Sequence, residues 1–546
     1  MTLTECQEKA LLKISKFLSP IDERNFYLLT GGAGVGKTYL MDVLAKKYSN
    51  IGFTAPTHKA VKVLREKING AYGIFFTIHK LMGYKMSYNE KGGVVFSSDD
   101  ISKYIEKEDY RIIVIDEVSM VSDKIFNDIL SLVEKLPYLK ILFVGDSYQL
   151  PPIDLGKNNE QLSKPMRLIK DCDTSHMITT KRTDETSLLD LYKIFRQSVD
   201  TFDDPRKFLN PYKKSKNIHL INNYQSFKKI LLKTRTVAKS IILVQNNKQV
   251  LKYNELVKNS VKRTGPYMKG DKMVFDNFYE SSDHRFYTQD IVFIESAKCV
   301  EKYNNYFEET FKTYELKIYF KFREEDGEDE EDEKDDDLKS ITFTVSKIDD
   351  TDKNDKNYIK FLECVKTKKT EIQEKIATMS LLGQSKKSIK QKAGDMWRFF
   401  YQSVADLNCP ITDAYCMTVH KSQGSTYDLV IVDFDNIDTM YNFISKKTGT
   451  DKRFTKYRSL YTAVSRVSKE IYIKCNMKNY KEKLNINENS VKKCTGCHCV
   501  KKLKFFINQK GKERRQCKPC RSKRKHAKRK NTKKYLETSN IDENNL

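Results

Sequence analysis

The chain has 546 residues, of which 39% are hydrophobic and 32% charged, and its formal net charge is +26. This length exceeds what one hydrophobic core supports, so we expect three to four domains. The positive charge indicates a polyanionic partner, most simply nucleic acid. No apolar run approaches the ~20 residues that a transmembrane helix needs, and residues 1–18 do not have the pattern of a secretory signal. We therefore expect a soluble intracellular protein with no membrane partner, located in the cytoplasm or nucleus.

The first 175 residues have the pattern of a parallel α/β domain. Short apolar strands are predicted at 26–30, 51–57, 111–116 and 141–146, with helical segments between them. Residues 5–18 and 39–48 have the spacing of helices. Within 77–110 the pattern changes, and a Gly92-Gly93 turn between aromatic and β-branched residues predicts an inserted β-hairpin.

The segment "GGAGVGKT" predicts a phosphate-binding loop. It fits G-x-x-x-x-G-K-[ST], follows a predicted strand and opens a predicted helix, so its backbone N–H groups can surround phosphate oxygens. Lys37 is expected to reach the β- and γ-phosphates of ATP, and Thr38 the Mg²⁺. The loop residues expected to contact the nucleotide are Gly31, Gly32, Ala33, Gly34, Val35, Gly36, Lys37 and Thr38.

Acidic and amide side chains follow two other strands of this domain. Asp116 and Glu117 end the strand "IIVIDE", where the first acid suits Mg²⁺ and the second can polarise the attacking water. Gln149 follows "ILFVGD" and is itself followed by Leu150-Pro151-Pro152. A neutral amide can bind the γ-phosphate or the water before hydrolysis and lose that contact afterwards, which is the difference that a two-state switch requires.

A second α/β domain is predicted from strands at 240–247, 414–420 and 428–434. Two arginines, Arg182 in "ITTKRTD" and Arg466 in "LYTAVSRV", are candidates for stabilising charge on the γ-phosphate across a domain interface. Residues 265–400 alternate like a small antiparallel insertion. It contains the run 324–337, which has 12 acids in 14 residues and suggests a solvated loop.

The C-terminal tail is basic and rich in cysteine. Residues 491–535 contain 19 Lys or Arg against one acid, Glu513, and five of the 12 cysteines lie in 494–520. Four thiolates in two C-x₂-C pairs suit tetrahedral Zn²⁺, and His498 or Cys499 are alternative ligands; the four are Cys494, Cys497, Cys517 and Cys520. The basic run after them can bind phosphate non-specifically, act as a nuclear-import signal, or be a solvated tail. The tail resembles small zinc modules of phage and large-virus proteins.

The ordered motifs resemble those of superfamily 1 helicases. "GGAGVGKT", "FTAPTHKA", "FTIHKL", "VIDEVSM", "TTKRT", "MTVHKSQGSTYDLVIVD" and "LYTAVSRV" occur in the family's order, and "GDSYQLPP" is similar to the RecD/Dda branch. The resemblance covers residues 4 to about 475. It implies an α/β fold with two RecA-like parallel-sheet motor domains, ATP-driven translocation on single-stranded DNA, and five-prime-to-three-prime polarity.

The resemblance also implies a domain plan and roles for single residues. The plan has motor domain one at 1–175, motor domain two at 176–290 and 400–482, an SH3-like insertion at 291–399, a zinc-binding module at 483–535 and a tail at 536–546. Gln7 would read the adenine, and the 77–110 hairpin would be a strand-splitting pin, with Tyr84, Tyr88 or Phe96 stacking on a base or packing on their own domain. The residues expected to line the strand-binding face are Pro56, Thr57, His58, Thr77, His79, Asn246, Thr418, His420 and Lys421.

The sequence therefore predicts an ATP-dependent DNA helicase that uses ATP, Mg²⁺ and Zn²⁺ and binds single-stranded DNA and forked duplexes, in replication, recombination or repair. Three alternatives stay open: an RNA helicase, a translocase that remodels protein–DNA complexes without unwinding, and a nucleic-acid-binding protein with a degenerate motor. The complete set of Lys37, Asp116, Glu117, Gln149 and Arg466 argues against the last. The sequence identifies no protein partner.

Overall fold

The computed structural model describes residues 3–68, 74–88, 94–98, 105, 110–152, 161–169, 173–179, 186–281, 284–320, 342–352, 354–476, 491–493 and 500–502. Arg182, the acidic run 324–337, the five clustered cysteines and His498 all lie outside these ranges. No helix within them is long and apolar enough to cross a membrane.

The N-terminal part is built on a parallel sheet with a separate hairpin. Its strands are β1 (Phe26–Gly31), β2 (Ile51–Ala55), β3 (Ile74–Thr77), β4 (Tyr84–Tyr88), β5 (Val94–Ser98), β6 (Ile112–Ile115), β7 (Lys140–Gly145) and β8 (Thr174–Met177). Its helices are Glu5–Phe17, Lys37–Lys47, His58–Lys67, Ile78–Leu81, Asp123–Lys135 and Lys164–Leu168, with a 3₁₀ turn at Val118–Met120. Six strands pair in parallel in the order β3-β2-β6-β7-β1-β8, as a RecA-like domain requires.

The central strands of this sheet are mostly apolar because helices cover both faces. β6 and β7 are fully buried along their length. One core cluster contains Leu29 and Phe53, and the other contains Ile113 and Phe143. The phosphate loop and the acidic pair follow the carboxyl ends of β1 and β6, which lie at the same edge of the sheet.

The remaining described chain contains a second parallel sheet and an antiparallel one. The strands are β9 (Ile218–Ile221), β10 (Ser240–Val244), β11 (Lys272–Phe275), β12 (Tyr279–Glu280), β13 (Arg285–Phe286), β14 (Ile291–Asn304), β15 (Glu309–Tyr319), β16 (Phe343–Lys347), β17 (Ile411–Asp413), β18 (Cys416–Thr418), β19 (Tyr427–Asp433), β20 (Val467–Lys474), β21 (Val491–Lys493) and β22 (Val500–Lys502). The helices are Thr186–Thr201, Tyr224–Leu231, Lys233–Thr236, Asn247–Lys258, Lys356–Leu381, Lys386–Leu407, Phe434–Thr448 and Arg453–Val464, and the 3₁₀ helices are Pro205–Phe208, Asn210–Lys214 and His420–Ser422.

The second motor domain has a five-stranded parallel sheet in the order β18-β10-β19-β20-β9. Its core includes one residue of the first domain: Leu150, directly after Gln149, is fully buried in the cluster formed with Tyr461 and Val430. Because packed interiors transmit strain, a displacement of the Gln149 segment would shift side chains in the core of the second motor domain.

The insertion differs from the predicted one in extent and content. Its antiparallel sheet, β16-β15-β14-β11-β17, includes β11 and β17, which lie outside the predicted 291–399. Two long helices, Lys356–Leu381 and Lys386–Leu407, lie between β16 and β17 in the chain and pack through Phe361, Trp397 and Phe400. The SH3-like character of this sheet stays a prediction, and the domain also contains a helical pair that the alternating pattern did not indicate.

The predicted hairpin region contains two antiparallel strands, β4 and β5, which pair Tyr84 with Ser98 and Tyr88 with Val94. Tyr84 packs on its own domain: its hydroxyl donates to Asp128, and the ammonium of Lys124 lies 5.3 Å from its ring centre. The use of Tyr84 as a base-stacking residue of a strand-splitting pin stays a prediction. The side chains of Tyr88 and Phe96 lie outside the described part of the structure.

Candidate nucleotide and strand-binding sites

A cavity of about 320 Å³ lies between the two motor domains. From the first domain it is lined by Gln7, Ala33, Gly34, Gly36, Lys37, Thr38, Tyr39, Val63, Lys67, Asp116, Glu117 and Gln149, and from the second by Gly424, Ser425, Thr426 and Arg466. The structure thus brings together the predicted nucleotide-binding residues that it describes, apart from Gly31, Gly32 and Val35, which are buried and do not line the cavity.

The phosphate loop has the conformation that its glycines permit. Gly34 and Gly36 have φ of 78° and 84°, in the left-handed region that side chains rarely adopt. A Cβ on Gly36 would also overlap with Nε2 of Gln7. The helix Lys37–Lys47 begins directly after Gly36, so its unpaired N–H groups and the positive end of its dipole face the cavity. This arrangement fits phosphate.

Two predicted nucleotide contacts are engaged within the protein. Lys37 Nζ donates to the carbonyl oxygens of Gly31 (2.7 Å) and Gly32 (3.0 Å). The Gln7 amide is buried, with Oε1 accepting from the Thr4 N–H at 2.9 Å and Nε2 donating to the Val35 carbonyl at 3.2 Å. Because a carboxamide can accept two hydrogen bonds and donate two, Gln7 keeps capacity for an adenine edge while it positions the loop.

The acidic pair fits a divalent cation. Burial, followed by the charge of Glu117, raises the pKa of Asp116 to about 7, while Lys37 and Lys67 oppose the shift. Two adjacent carboxylates that are both partly buried are costly unless a cation joins them. Glu117 has φ 51°, a left-handed conformation that costs about 1–2 kcal/mol in a non-glycine residue and often marks a functional turn.

Gln149 is the buried acceptor of the site. Its side chain is 4% exposed and its Oε1 has no hydrogen-bond partner among the described residues. A buried acceptor without a hydrogen-bond partner costs free energy. The Gln149 oxygen is therefore suited to accept a hydrogen bond from a donor in the cavity, such as water. The segment that carries it is held by the second domain, since the Leu150 N–H donates to Thr462 Oγ1 (3.2 Å) and Gln423 Nε2 donates to the Leu150 carbonyl (3.1 Å).

Arg466 lies on the cavity wall and is held in position by its own domain. Its guanidinium donates to the carbonyls of Thr462 (3.1 Å) and Ser425 (3.3 Å) and to Ser465 Oγ (3.0 Å). A guanidinium has five N–H donors, so these bonds leave two for a phosphate. The predicted partner of this arginine, Arg182, lies outside the described residues.

Two residues of the site were missed by the sequence analysis. Arg196, on the helix Thr186–Thr201, comes so close to the phosphate loop that a Cβ on Gly32 would lie 2.9 Å from its Nη1, and its guanidinium covers the Tyr148 ring at 4.5 Å. The buried Tyr461 hydroxyl accepts from the Ala33 N–H (3.2 Å) and donates to Asp146 Oδ2 (2.7 Å). A charged residue beside the apolar stripe of "LLDLYKIFRQ" was the only available signal for Arg196.

The predicted strand-binding residues follow strand ends in both motor domains. Pro56, Thr57 and His58 follow β2, and Thr77 ends its neighbour β3. In the second domain Asn246 follows β10, and Thr418, His420 and Lys421 end or follow its neighbour β18. The structure therefore groups them at one sheet edge in each domain.

Several of these residues cap helices, so helix N-termini lie on this face. Thr57 Oγ1 accepts from the Ala60 N–H (3.2 Å), Thr77 Oγ1 from Lys80 (3.2 Å) and Asn246 Oδ1 from Gln249 (2.8 Å). The capping hydroxyls keep their O–H donor for a phosphate. Burial lowers the pKa values of His79 and His420, so we expect both rings to be neutral near pH 7.

Comparison with known proteins agrees with this geometry. An AAA domain model matches residues 18–154, and a UvrD-like helicase C-terminal domain model matches residues 413–473. An uncharacterized protein of Acanthamoeba polyphaga mimivirus is 26% identical over 85% of this chain and 98% of its own length. The ATP-dependent DNA helicase Dda of Enterobacteria phage T4 is 29% identical over 33% of this chain, and the ATP-dependent RecD2 DNA helicase of Deinococcus radiodurans is 34% identical over 24%.

The shared regions are partial for the two helicases, since the matches cover 40% of Dda and 16% of RecD2. Among solved structures, a Pif1 helicase from Bacteroides in complex with ADP-AlF3 and single-stranded DNA aligns over 87% of this chain and 93% of that chain, at 15% identity and a TM-score of 0.44. That score is too low to carry a conclusion. With the motifs, the two matched models and the assembled cavity together, the chain is a superfamily 1 helicase of the RecD and Dda type, an ATP hydrolase.

Proposed function

We propose that this helicase translocates five-prime to three-prime on single-stranded DNA and unwinds duplex at a fork. The carrying observation is the cavity that joins Lys37, Asp116, Glu117 and Gln149 of one motor domain to Arg466 of the other. A nucleotide bound there would contact both domains, so its hydrolysis would change how they pack. Such coupling is what converts ATP turnover into movement along a strand.

In the first domain each side chain has a task in phosphoryl transfer. Lys37 would exchange the Gly31 and Gly32 carbonyls for the β- and γ-phosphates. Thr38 and Asp116 would hold Mg²⁺, which when bound neutralises phosphate charge. Glu117 would accept the proton of the attacking water. Gln149 Oε1, which has no partner among the described residues, would accept a hydrogen bond from the water and orient it.

In the second domain two arginines would complete the site. Arg466 would use its remaining donors on the γ-phosphate, and Arg196 would approach it past Gly32. The role of Arg182 stays a prediction. Loss of the γ-phosphate would release these contacts, and because Leu150 lies in the second core, the change at Gln149 would be passed to that domain.

The proposed direction of movement and the proposed zinc module of the tail rest on the resemblance to known families and on the composition of the chain. The Dda and RecD2 matches support the five-prime-to-three-prime branch. For the tail we propose a zinc module held by Cys494, Cys497, Cys517 and Cys520, which would fold only with its metal and add phosphate-binding charge. The described structure lends this module no support, and a role in replication, recombination or repair is likewise proposed from the family.

The experiment that tests the function is ATP turnover with DNA or RNA of equal length and sequence. We expect single-stranded DNA to stimulate turnover by the full-length protein, while RNA does so much less. Equal stimulation by both would favour an RNA or dual-substrate helicase. Turnover that neither polymer changes would contradict the proposal.

A further inference from the structure

The connection between β11 and β14 bears on the strand-binding face. Three of its side chains, those of Asp276, Tyr287 and Asp290, lie against residues of the two motor domains rather than in open solvent. Asp276 contacts Lys421 and Tyr287 contacts His58, both of which are predicted strand-binding residues. Asp290 faces two lysines of the helix that His58 begins. Nothing in the hydrolytic cavity requires these contacts, since none of the three connection residues lines it.

Asp276 forms an ion pair with a predicted phosphate-binding residue. Lys421 Nζ donates to Asp276 Oδ1 at 2.9 Å, and the other carboxylate oxygen accepts from Thr412 Oγ1 at 3.0 Å. The pair is half open to water, with side-chain exposures of 50% for Lys421 and 35% for Asp276. A pair this exposed is worth about 0–1 kcal/mol, so a strand phosphate can replace the carboxylate at small cost.

Tyr287 covers the other motor domain's predicted contact. Its ring stacks on the His58 imidazole, with centres 4.2 Å apart and planes inclined by 24°. This is the separation and near-parallel geometry that a base would adopt on the same ring. Asp290 accepts from the Tyr287 N–H at 2.7 Å and interacts electrostatically with Lys62 and Lys59 on the helix that His58 begins.

We propose that this connection imitates a bound strand: in the strand-free protein the Asp276 carboxylate takes the position of a phosphate on Lys421, and the Tyr287 ring takes that of a base on His58. The proposal rests on the proposed function, because it assumes that a single strand binds this face. The ligand class is single-stranded nucleic acid, recognised through one cationic and one aromatic contact. Binding must then displace both side chains.

Displacement has a measurable consequence. When only a fraction of the molecules has the face uncovered, the apparent affinity for a strand falls by that fraction. Weakening the internal contact therefore tightens strand binding without adding any contact to the strand. The gain depends on Lys421, because Asp276 acts by occupying that residue.

The test is a double-mutant cycle on the full-length protein, with binding of a fluorescent single-stranded oligonucleotide measured by anisotropy. We expect Asp276→Asn to lower the Kd by about two- to fivefold, the range that a partly exposed ion pair produces. In the Lys421→Ala background, where no ammonium is available to be covered, the same substitution is expected to leave the Kd unchanged. Tyr287→Ala is likewise expected to lower the Kd, because it uncovers His58, and a higher Kd would contradict the proposal for the ring.

The outcomes separate the alternatives. An equal gain in both backgrounds would show that Asp276 only repels the strand at a distance, and no gain in either would show that the ion pair is structural; each overturns the proposal. Glu280→Gln is the matched control, since it removes the same charge from an exposed ion pair with Arg285 in the same connection. A gain there equal to that of Asp276→Asn would also overturn it.

The cycle is read against the wild-type protein. If wild-type protein binds no single strand, the proposed function fails and this inference with it. If it binds and ATP turnover responds, but the Asp276→Asn gain is absent or independent of Lys421, this inference alone fails. Unfolding curves of the four proteins of the cycle verify that the surface substitutions leave the fold intact. We expect the four curves to have closely similar midpoints.

Discussion

Replacing Glu117 with glutamine is expected to lower strand-stimulated ATP turnover by about a thousandfold, the order of magnitude of a lost general base. Glutamine keeps the size and hydrogen-bonding reach of the side chain but cannot accept the proton of the attacking water. The substitution also removes the negative charge of Glu117. Burial is the largest cause of the raised pKa of Asp116, and this charge is the second. The Asp116 carboxylate should then stay available to Mg²⁺, so we expect ATP to bind, remain unhydrolysed and be trapped.

The measurement is single-turnover hydrolysis together with single-strand binding by the same preparation. We expect Glu117→Gln to retain strand affinity, because Glu117 lines the nucleotide cavity and none of the predicted strand-binding residues does. Glu134→Gln, which makes the same change at an exposed position of the helix Asp123–Lys135, is the control and should behave like wild type. Loss of strand binding in Glu117→Gln would contradict a purely catalytic role.

Replacing Arg196 with alanine is expected to lower kcat by roughly a thousandfold, at the lower end of what an arginine supplied across an interface contributes. The guanidinium comes close to Gly32 of the phosphate loop, and we expect it to reach the γ-phosphate, where charge develops on the transferred group. ADP lacks that phosphate, so ADP affinity should change little while ATP turnover collapses. This split separates a catalytic contact from a purely structural one.

Competition of ADP against a fluorescent nucleotide, run beside steady-state turnover, checks this split. Lys193→Ala removes a cation from the exposed face of the same helix and is the control. The structural alternative is that Arg196 only covers Tyr148, a contact worth about 0.5–1 kcal/mol. In that case Arg196→Ala would lower the unfolding midpoint and leave kcat within a few-fold of wild type.

The catalytic half of the site was predictable because parallel strands present their carboxyl ends at one edge. Short apolar runs located β1, β6 and β7, and the residues that follow them therefore had to meet. Lys37, Asp116, Glu117 and Gln149 follow such strands closely, so their meeting at one cavity could be predicted from the sequence, while their catalytic roles stay predictions.

The remaining parts depend on contacts between distant segments. Arg196 lies in the middle of an amphipathic helix, where one more charged residue carries no signal, and its approach to Gly32 exists only in three dimensions. The helices Lys356–Leu381 and Lys386–Leu407 were missed because the alternating strands before them set the expectation for the whole insertion. The stack of Tyr287 on His58 joins residues more than two hundred positions apart, a distance over which periodicity says nothing.

The central claim is tested most directly by strand displacement with ATP and Mg²⁺ on two duplexes, one with a five-prime single-stranded tail and the other with a three-prime tail. The account predicts unwinding of the five-prime-tailed duplex only, and no unwinding of it by Glu117→Gln. Unwinding of the three-prime-tailed duplex alone would contradict the assigned polarity. Unwinding of neither, with ATP still consumed on single strands, would contradict the helicase assignment and leave a translocase.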